Sequence, residues 1–179
     1  MKLASRILRK IGFKSAAWDE EFKTDYWDQP TTDDPIYPVL EKYPGALLEL
    51  GCGTGNTPLE TLRSAYTGID ISPVAISKAR ARNPYHEFHV ATMEDYIPEQ
   101  KYGVILFRES IYYVKRIDEL LTRLQPYLAP GGVFIARICD RKRHWDVIGE
   151  IDRNWRVKTI MLDTGGVIMV FNIKRNPFR

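Results

Sequence analysis

Short apolar runs alternate with amphipathic stretches along most of this chain. The apolar runs predict five β-strands, at residues 46–50, 65–69, 87–90, 102–107 and 133–138. The amphipathic stretches predict three helices, at residues 58–64, 73–82 and 117–128. Strands that alternate with helices in this way are typical of an α/β fold built on a parallel sheet.

Polar residues, prolines and glycines mark the ends of the predicted helices. Thr57 and Glu60 have the spacing of a capping box, and Ser72 stands directly before Pro73 in an N-cap position. The third helix is expected to end at Leu128, before the run Pro130-Gly131-Gly132. These signals set the helix boundaries given above.

The last part of the chain departs from this alternation. Residues 156–162 and 167–174 are two β-rich runs, and Asp163-Thr164-Gly165-Gly166 between them has the composition of a tight turn. The pattern predicts a hairpin that adds antiparallel strands to a mostly parallel sheet.

The first 45 residues are predicted to form an N-terminal helical segment ahead of a core at residues 46–179. Residues 2–11 have helical apolar spacing among basic side chains. Four aromatic residues follow, mostly on one helical face: Trp18, Phe22, Tyr26 and Trp27. This stripe predicts either a lid over a binding site or a helix docked permanently on the sheet.

Length and composition limit the classes of protein to consider. At 179 residues the chain fits one domain, and its net charge of +3 does not by itself indicate a nucleic-acid binder. Two cysteines, Cys52 and Cys139, exclude a disulfide scaffold and suit a reducing compartment. No apolar run approaches the roughly 18 residues of a membrane span. We expect a cytoplasmic protein, with weak membrane contact through the basic residues 2–14 as a further possibility.

A glycine-rich loop follows the first predicted strand, and an acid follows the second. The loop runs Glu-x-Gly-x-Gly-x-Gly from Glu49 to Gly55, and Asp70 stands at the end of the next strand. Glycines permit close approach to a ligand, and a carboxylate there can accept hydrogen bonds from ribose hydroxyls. The pattern predicts a nucleoside-bearing cofactor. A nicotinamide dinucleotide fits poorly, because Asn56 occupies the third glycine position of its fingerprint.

These residues resemble the first two motifs of class I S-adenosylmethionine-dependent methyltransferases. The second motif is Gly68-Ile69-Asp70-Ile71-Ser72-Pro73. The resemblance implies a Rossmann-like fold with a seven-stranded, mostly parallel sheet and a C-terminal antiparallel hairpin, and it implies S-adenosylmethionine as cofactor. By resemblance, Glu49 helps hold the methionine amino group and Asp70 holds the ribose.

The resemblance also covers the adenine end of the cofactor. Thr92 stands where the family often has an acid, so Met93 is expected to cover the adenine face and Glu94, or a backbone amide, to read its edge. The full set of expected cofactor-binding residues is Glu49, Gly51, Cys52, Gly53, Gly55, Asn56, Asp70, Ile71, Met93, Glu94 and Phe107.

The segment after the fourth strand is the expected site of methyl transfer. Its Glu-x-x-Tyr-Tyr pattern, Glu109 to Tyr113, resembles small bacterial methyltransferases that modify a sugar amine, such as the enzyme acting on nodulation oligosaccharides. The resemblance implies that Glu109 binds an acceptor ammonium or accepts its proton. Tyr113, where many relatives carry histidine, is the second expected catalytic residue.

Further residues are expected to bind the acceptor, and each has an alternative structural role. They are Tyr26, Trp27, Arg108, Tyr112, His144 and Trp145. Arg108 could instead pair with an acid of the N-terminal segment, and Tyr112 could pack in the core. The basic and aromatic run 140–145 could grip a phosphate, carboxylate or glycan, or could be a solvated loop. No metal site is expected, because the three histidines have no supporting cluster.

The predicted function is methyl transfer from S-adenosylmethionine to an oxygen or nitrogen of a small molecule or saccharide. The alternative is an RNA or DNA methyltransferase that uses the basic N-terminus and Arg141–Arg143, although the Asn/Asp-Pro-Pro-aromatic motif of base-methylating enzymes is missing after the fourth strand. An NAD-dependent oxidoreductase fits less well. The sequence does not define the oligomeric state.

Overall fold

The apolar runs of the chain form the strands of one mixed sheet. The computed structural model describes residues 14–28, 34–57 and 65–175. The predicted helices at 2–11 and 58–64, and with them Glu60 of the predicted capping box, lie outside the described residues. Within the described ranges, no helix combines the length and the apolar character needed to cross a membrane.

Five helices and seven strands are assigned in the described residues. The helices are α1 (Lys14–Phe22), α2 (Tyr37–Leu40), α3 (Pro73–Arg82), α4 (Ile117–Leu124) and α5 (Trp145–Asn154). The strands are β1 (Leu47–Leu50), β2 (Tyr66–Asp70), β3 (Glu87–Val90), β4 (Tyr102–Arg108), β5 (Leu128–Ile138), β6 (Trp155–Leu162) and β7 (Val167–Lys174). Single 3₁₀ turns cover Asp25–Asp28, Ile111–Tyr113 and Gln125–Tyr127.

The sheet has the strand order β3-β2-β1-β4-β5-β7-β6. The first five strands of this order are parallel, and β7 runs antiparallel to both β5 and β6. The predicted α/β fold, with its parallel sheet and closing hairpin, is therefore confirmed. Because β1 lies between β2 and β4, the connections diverge at its carboxyl end and leave a crevice there, which is where open α/β sheets bind ligands.

Apolar side chains cover both faces of the central strands. Leu48 and Phe107 belong to a cluster with Leu121 of α4, whereas Leu47 and Leu106 pack on the opposite face. Burial on both faces explains why these strands read as continuous apolar runs rather than as alternating ones.

The predicted end of the third helix is wrong. Helix α4 ends at Leu124, a 3₁₀ turn follows, and β5 already begins at Leu128. Pro126 explains the early end, because proline lacks the N–H that would continue the helical ladder. The glycines at 131 and 132 lie inside β5, where the pairing with β4 shifts register. They mark an irregular strand rather than a helix terminus.

Helix α5 was not predicted. Its buried residues Val147 and Ile151 are spaced four apart, which is a helical signal, but Gly149 between them weakens the pattern. The fifth strand is predicted at 133–138 but begins at Leu128, whereas the boundaries of the other predicted strands and of the helix at 73–82 agree to within one residue. Ser72 caps α3 by accepting a hydrogen bond from the Ala75 amide at 3.1 Å.

Candidate active site

A cavity of about 680 Å³ opens at the carboxyl ends of β1, β2 and β4. Its wall combines the glycine loop, the segments after β2, β3 and β4, and aromatic side chains from the N-terminal segment. All expected cofactor-binding residues except Gly55 and Phe107 line it. Phe107 is fully buried in the core, and the carbonyl of Gly55 accepts a hydrogen bond from Asn83 Nδ2 at 2.7 Å on the α3 side.

Hydrogen bonds to a carbonyl near the end of β2 hold the glycine loop. The amides of Gly51 and Cys52 donate to the Ile69 carbonyl at 2.8 and 2.9 Å. Gly51 has a φ of +83°, and a β-carbon on it would lie 2.7 Å from Cβ of Ser110. This crowding explains why glycine is needed where the loop passes the segment after β4.

The carboxylate of Asp70 lies where the loop meets the end of β2. It accepts hydrogen bonds from the amides of Gly53 at 3.0 Å and Ser72 at 2.9 Å. Burial raises the pKa of Asp70 to about 6, although these two hydrogen bonds act in the opposite direction. A carboxylate can accept about four hydrogen bonds, so Asp70 retains acceptor capacity for a ribose hydroxyl.

Glu49 is a second buried carboxylate on the same cavity wall. Only 2% of its surface is exposed, and its carboxylate accepts hydrogen bonds from the Tyr66 hydroxyl at 2.7 Å and the Thr57 hydroxyl at 2.9 Å. Burial raises the pKa of Glu49, and the nearby charge of Arg108 opposes that shift. Glu49 is thus an oriented acceptor of the kind that an ammonium group requires.

Burial also keeps the thiol of Cys52 protonated. It raises the pKa of Cys52 well above the ordinary value. The side chain therefore lines the cavity as a small apolar group rather than as a nucleophile.

Arg108, expected to bind the acceptor, has protein partners in the structure. Its guanidinium donates to Asn56 Oδ1 at 2.7 Å and to the Thr57 hydroxyl at 3.2 Å, which ties the end of β4 to the glycine loop. One acid of the N-terminal segment, Asp34, forms an ion pair with Arg137 at 3.0 Å. Arg108 still lines the cavity, and its contact with an acceptor stays a prediction.

Glu109 has a left-handed backbone conformation at the cavity wall, with a φ of +58°. A residue with a β-carbon adopts this conformation at a cost of roughly 1–2 kcal/mol. Its carboxylate accepts hydrogen bonds from the Cys139 amide at 2.8 Å, from the Tyr112 hydroxyl at 3.2 Å and from Arg137. The side chain expected to act on the acceptor is therefore fixed in one orientation.

Aromatic rings form the side of the cavity opposite the sheet. Trp18 of α1 lies 5.6 Å from Phe22, 6.3 Å from Trp27 and 5.4 Å from Tyr113, measured between ring centroids. These four side chains line the cavity. Tyr26 belongs to the same predicted stripe but is 76% exposed and lies outside the lining.

The aromatic segment is attached to the core by polar contacts. The Trp27 carbonyl accepts hydrogen bonds from Thr54 Oγ1 and Asn56 Nδ2, both at 3.1 Å. Asp28 forms an ion pair with Lys78 of α3 at 2.7 Å. The segment thus covers the glycine loop directly, and its movement as a lid stays a prediction.

Besides Tyr26, two further expected acceptor-binding residues, His144 and Trp145, lie outside the cavity lining. His144 stacks on the ring of Tyr112 with a centroid distance of 4.0 Å and an interplanar angle of 11°. Trp145 is 73% exposed at the start of α5. His144 therefore contacts the lining residue Tyr112, whereas Trp145 faces solvent.

Sequence reasoning missed several lining residues. They are Lys14, Thr54, Ala91, Asp95, Ser110 and Val114. Most of them are direct neighbours of motif residues, so taking whole loops rather than motif positions would have found them. Lys14 gave no such signal, because its position depends on how α1 lies across the sheet.

Comparisons with known proteins agree with this geometry. A family model described as a methyltransferase domain matches residues 30–165. A trans-aconitate 2-methyltransferase from Methylobacterium radiotolerans is 32% identical over 133 residues, which cover 70% of this chain and 50% of the relative. One from Variovorax paradoxus is 26% identical over 174 residues, which cover 83% and 65% of the two chains. This chain thus spans about half to two thirds of the length of these relatives.

Solved structures share the fold. The N-methyltransferase NodS from Bradyrhizobium japonicum, in complex with S-adenosyl-L-homocysteine, superposes with a TM-score of 0.66 at 18% identity, covering 91% of this chain and 98% of NodS. A TehB-like S-adenosylmethionine-dependent methyltransferase from Corynebacterium glutamicum gives 0.68 at 15% identity, with coverage of 90% and 98%. Since the family model matches most of the chain and the fold agrees, this chain belongs to the class I S-adenosylmethionine-dependent methyltransferase family.

Proposed function

We infer that this chain binds S-adenosylmethionine in the cavity and transfers its methyl group to an oxygen or nitrogen of a small molecule or saccharide. The observation that carries the proposal is that Asp70, tied to the glycine loop through the Gly53 amide, and the fixed carboxylate of Glu109 line the same cavity. One site thus offers a group for the donor and a group for the acceptor.

The residues at the donor end suit S-adenosylmethionine. Asp70 would accept hydrogen bonds from the ribose hydroxyls, and Glu49 would attract the methionine ammonium. Met93 would cover the adenine. The cavity volume of about 680 Å³ lies within the ordinary range for cofactor sites, which is roughly 300–1,000 Å³.

Positioning would be the main contribution of the protein to the reaction. When bound, S-adenosylmethionine supplies a methyl group on a sulfonium, which a nucleophile displaces directly. Glu109 would hold the acceptor nucleophile in line with that methyl group and accept its proton at a carboxylate oxygen, and Tyr113 would form the adjacent wall. Alignment of this kind is worth on the order of 7–11 kcal/mol.

One group of lining residues suits a neutral or cationic acceptor, whereas Lys14 and Arg108 line the same cavity. That group combines the Glu109 carboxylate with the rings of Trp18 and Tyr113, and a cation is attracted both by a carboxylate and by aromatic faces. The curated relatives are named for trans-aconitate, a small anionic molecule that also offers an oxygen acceptor, so the charge of the acceptor is what distinguishes the two candidates.

Two experiments test the proposed function. Isothermal titration should show saturable binding of S-adenosylmethionine and none of NAD; the reverse result would contradict the proposal. Formation of S-adenosylhomocysteine should then be measured with amino sugars, hydroxylated aromatic compounds and trans-aconitate as acceptors. Methylation of an amine or hydroxyl supports a neutral or cationic acceptor. Turnover of trans-aconitate alone would contradict that acceptor class but would still agree with methyl transfer from S-adenosylmethionine.

A further inference from the structure

Arg123 of α4 binds the loop that follows β3 and is not itself part of the cavity lining. Its Nη1 donates to the Tyr96 carbonyl at 2.6 Å, and its Nη2 donates to the Met93 carbonyl at 2.7 Å. Hydrogen bonds from a guanidinium are among the stronger ones in proteins, and two of them from one planar group also fix orientation. The guanidinium therefore sets the distance between the two ends of residues 93–96.

The loop held by Arg123 forms one wall of the cavity. Residues 91–95 all line it. Within the loop, the Thr92 hydroxyl donates to the Asp95 carboxylate at 2.6 Å and accepts from the Asp95 amide at 3.1 Å. The Met93 methyl group lies 3.0 Å from where a β-carbon of Gly51 would be, so this side chain contacts the glycine loop.

Helix α4 gives Arg123 a fixed base. Leu120, Leu121 and Leu124 are buried in the core, and Asp118 accepts a hydrogen bond from Trp155 Nε1 at 3.1 Å. A side chain on such a helix can hold a loop to a defined position. The two hydrogen bonds from Arg123 add to the one from the Ala91 amide to the Asp70 carbonyl at 3.0 Å, which ties the start of the loop to β2.

We propose that Arg123 is a positioning residue for the methyl donor. It holds residues 93–96 so that the Met93 side chain covers one face of the adenine and the exposed Glu94 accepts a hydrogen bond from the adenine amino group. The inference rests on the proposed function, because it requires the adenosyl group to occupy this end of the cavity. It adds a residue that contacts neither the donor nor the acceptor.

Arg80 provides a matched control. Its Nε and Nη2 both donate to the Phe88 carbonyl, at 3.2 and 2.6 Å, which joins α3 to β3. Arg80 and Phe88 lie outside the cavity lining. Arg80→Met therefore removes the same kind of contact from the same edge of the sheet without changing the donor site.

The test is calorimetric titration of the full chain with S-adenosylhomocysteine and with S-inosylhomocysteine, in which a carbonyl replaces the adenine amino group. Arg123→Met should raise the Kd for S-adenosylhomocysteine about tenfold and reduce the preference over the inosyl analogue, since a loosened loop no longer places Glu94. Arg123→Lys should retain part of the affinity for S-adenosylhomocysteine and part of the preference over the inosyl analogue. Arg80→Met should change neither Kd more than about twofold.

The outcomes separate this inference from the proposed function. If Arg123→Met, or Arg123→Lys where the methionine variant does not fold, leaves the Kd and the base preference unchanged, the inference is overturned alone. Equal weakening for both ligands, with the preference intact, shows a purely structural role and also overturns it. If the unaltered chain binds no S-adenosylhomocysteine, the proposed function fails as well.

Discussion

Arg137 of β5 donates a hydrogen bond from Nη1 to the carboxylate of Glu109. The same guanidinium forms ion pairs with Asp34 through Nε at 3.0 Å and with Asp163 through Nη2 at 3.4 Å. Within the described residues, Glu109 is the one non-glycine residue with a positive φ. The Arg137 guanidinium thus holds the strained Glu109 at the cavity wall. The other two acids that Arg137 contacts belong to the N-terminal segment and to the hairpin turn.

This relationship predicts that Glu109→Gln affects chemistry far more than donor binding. The turnover number should fall by about 10²–10⁴, the usual contribution of a positioned acid or base. The Kd for S-adenosylhomocysteine should change less than about twofold, because the proposed donor site lies at the other end of the cavity. Turnover is measured with the acceptor that the panel identifies, and Glu119→Gln on the exposed face of α4 is the control. Equal losses in turnover and donor affinity would contradict the assigned role.

Arg137→Gln should lower turnover through Glu109 alone. We expect a loss of about tenfold or more in the unaltered chain and little additional loss in the Glu109→Gln background, because residues that act as one unit are not additive. A double-mutant cycle of turnover numbers measures this coupling. Losses that multiply in the double variant would mean that Arg137 acts on the reaction by another route.

Stabilisation by the donor should depend on pH through Asp70. In the ligand-free fold, burial raises the pKa of this carboxyl from 3.8 to about 6, so its contribution to stability is complete below about pH 4 and is lost as the pH rises through 6. Ribose hydroxyls form stronger hydrogen bonds with the ionised carboxylate than with the protonated carboxyl. The rise in Tm caused by S-adenosylhomocysteine should therefore be small at pH 5 and larger at pH 7.5.

The control for this pH dependence is Asp70→Asn. This variant should show a small increase in Tm with ligand that changes little between pH 5 and pH 7.5, because the amide does not titrate. An increase in the unaltered chain that is the same at both pH values would exclude Asp70 as the titrating group.

The donor side of the site could be predicted from the sequence because its residues follow strands directly. Parallel strands present their carboxyl ends at one edge of a sheet, so Glu49 and Asp70 had to lie close together once β1 and β2 were identified. The glycines that follow Glu49 in the loop also predicted a backbone conformation open to a ligand, and all three have a positive φ in the structure.

Other parts of the site depend on contacts that a single sequence does not show. Arg123 and Arg137 contact the cavity loops from neighbouring elements, and their partners follow from the order of strands and the packing of α4 on the sheet. For the run 140–145 the sequence predicts either a ligand-binding segment or a solvated loop, because its basic residues and Trp145 conceal the start of α5. Solvent exposure of Trp145 and Tyr26 is set by the same packing.

Crowding at Gly51 can be separated from backbone strain by comparison with Gly131. Both glycines have a φ near +80°, but a β-carbon at Gly51 would lie 2.7 Å from Ser110 Cβ, whereas one at Gly131 would meet nothing within 4 Å. Gly131→Ala should cost roughly 1–2 kcal/mol of unfolding free energy from φ alone. Gly51→Ala should cost about 1–3 kcal/mol more and weaken donor binding. Chemical denaturation measures both, and equal costs would contradict the crowding.

The hydrogen bond from Tyr66 to Glu49 should be worth more than the similar bond from Tyr102 to Thr67. Both tyrosines are nearly fully buried, and their hydroxyls donate at 2.7 Å and 3.2 Å. Tyr66→Phe removes a donor from a buried carboxylate and should cost about 1.5–3 kcal/mol of unfolding free energy. Tyr102→Phe removes hydrogen bonds between neutral hydroxyls only, with Thr67 and Tyr96, and each such bond should cost about 0.5–1.5 kcal/mol.

Urea denaturation at pH 7.5 measures these two costs under one condition, with the packing of each ring unchanged. The pH matters because burial raises the pKa of Glu49, and at lower pH its protonated form needs fewer donors. The difference between the two variants should therefore shrink as the pH falls. A cost for Tyr66→Phe that is no greater than that for Tyr102→Phe at pH 7.5 would mean that Glu49 is not held as a carboxylate, and its expected contact with the donor ammonium would lose its physical basis.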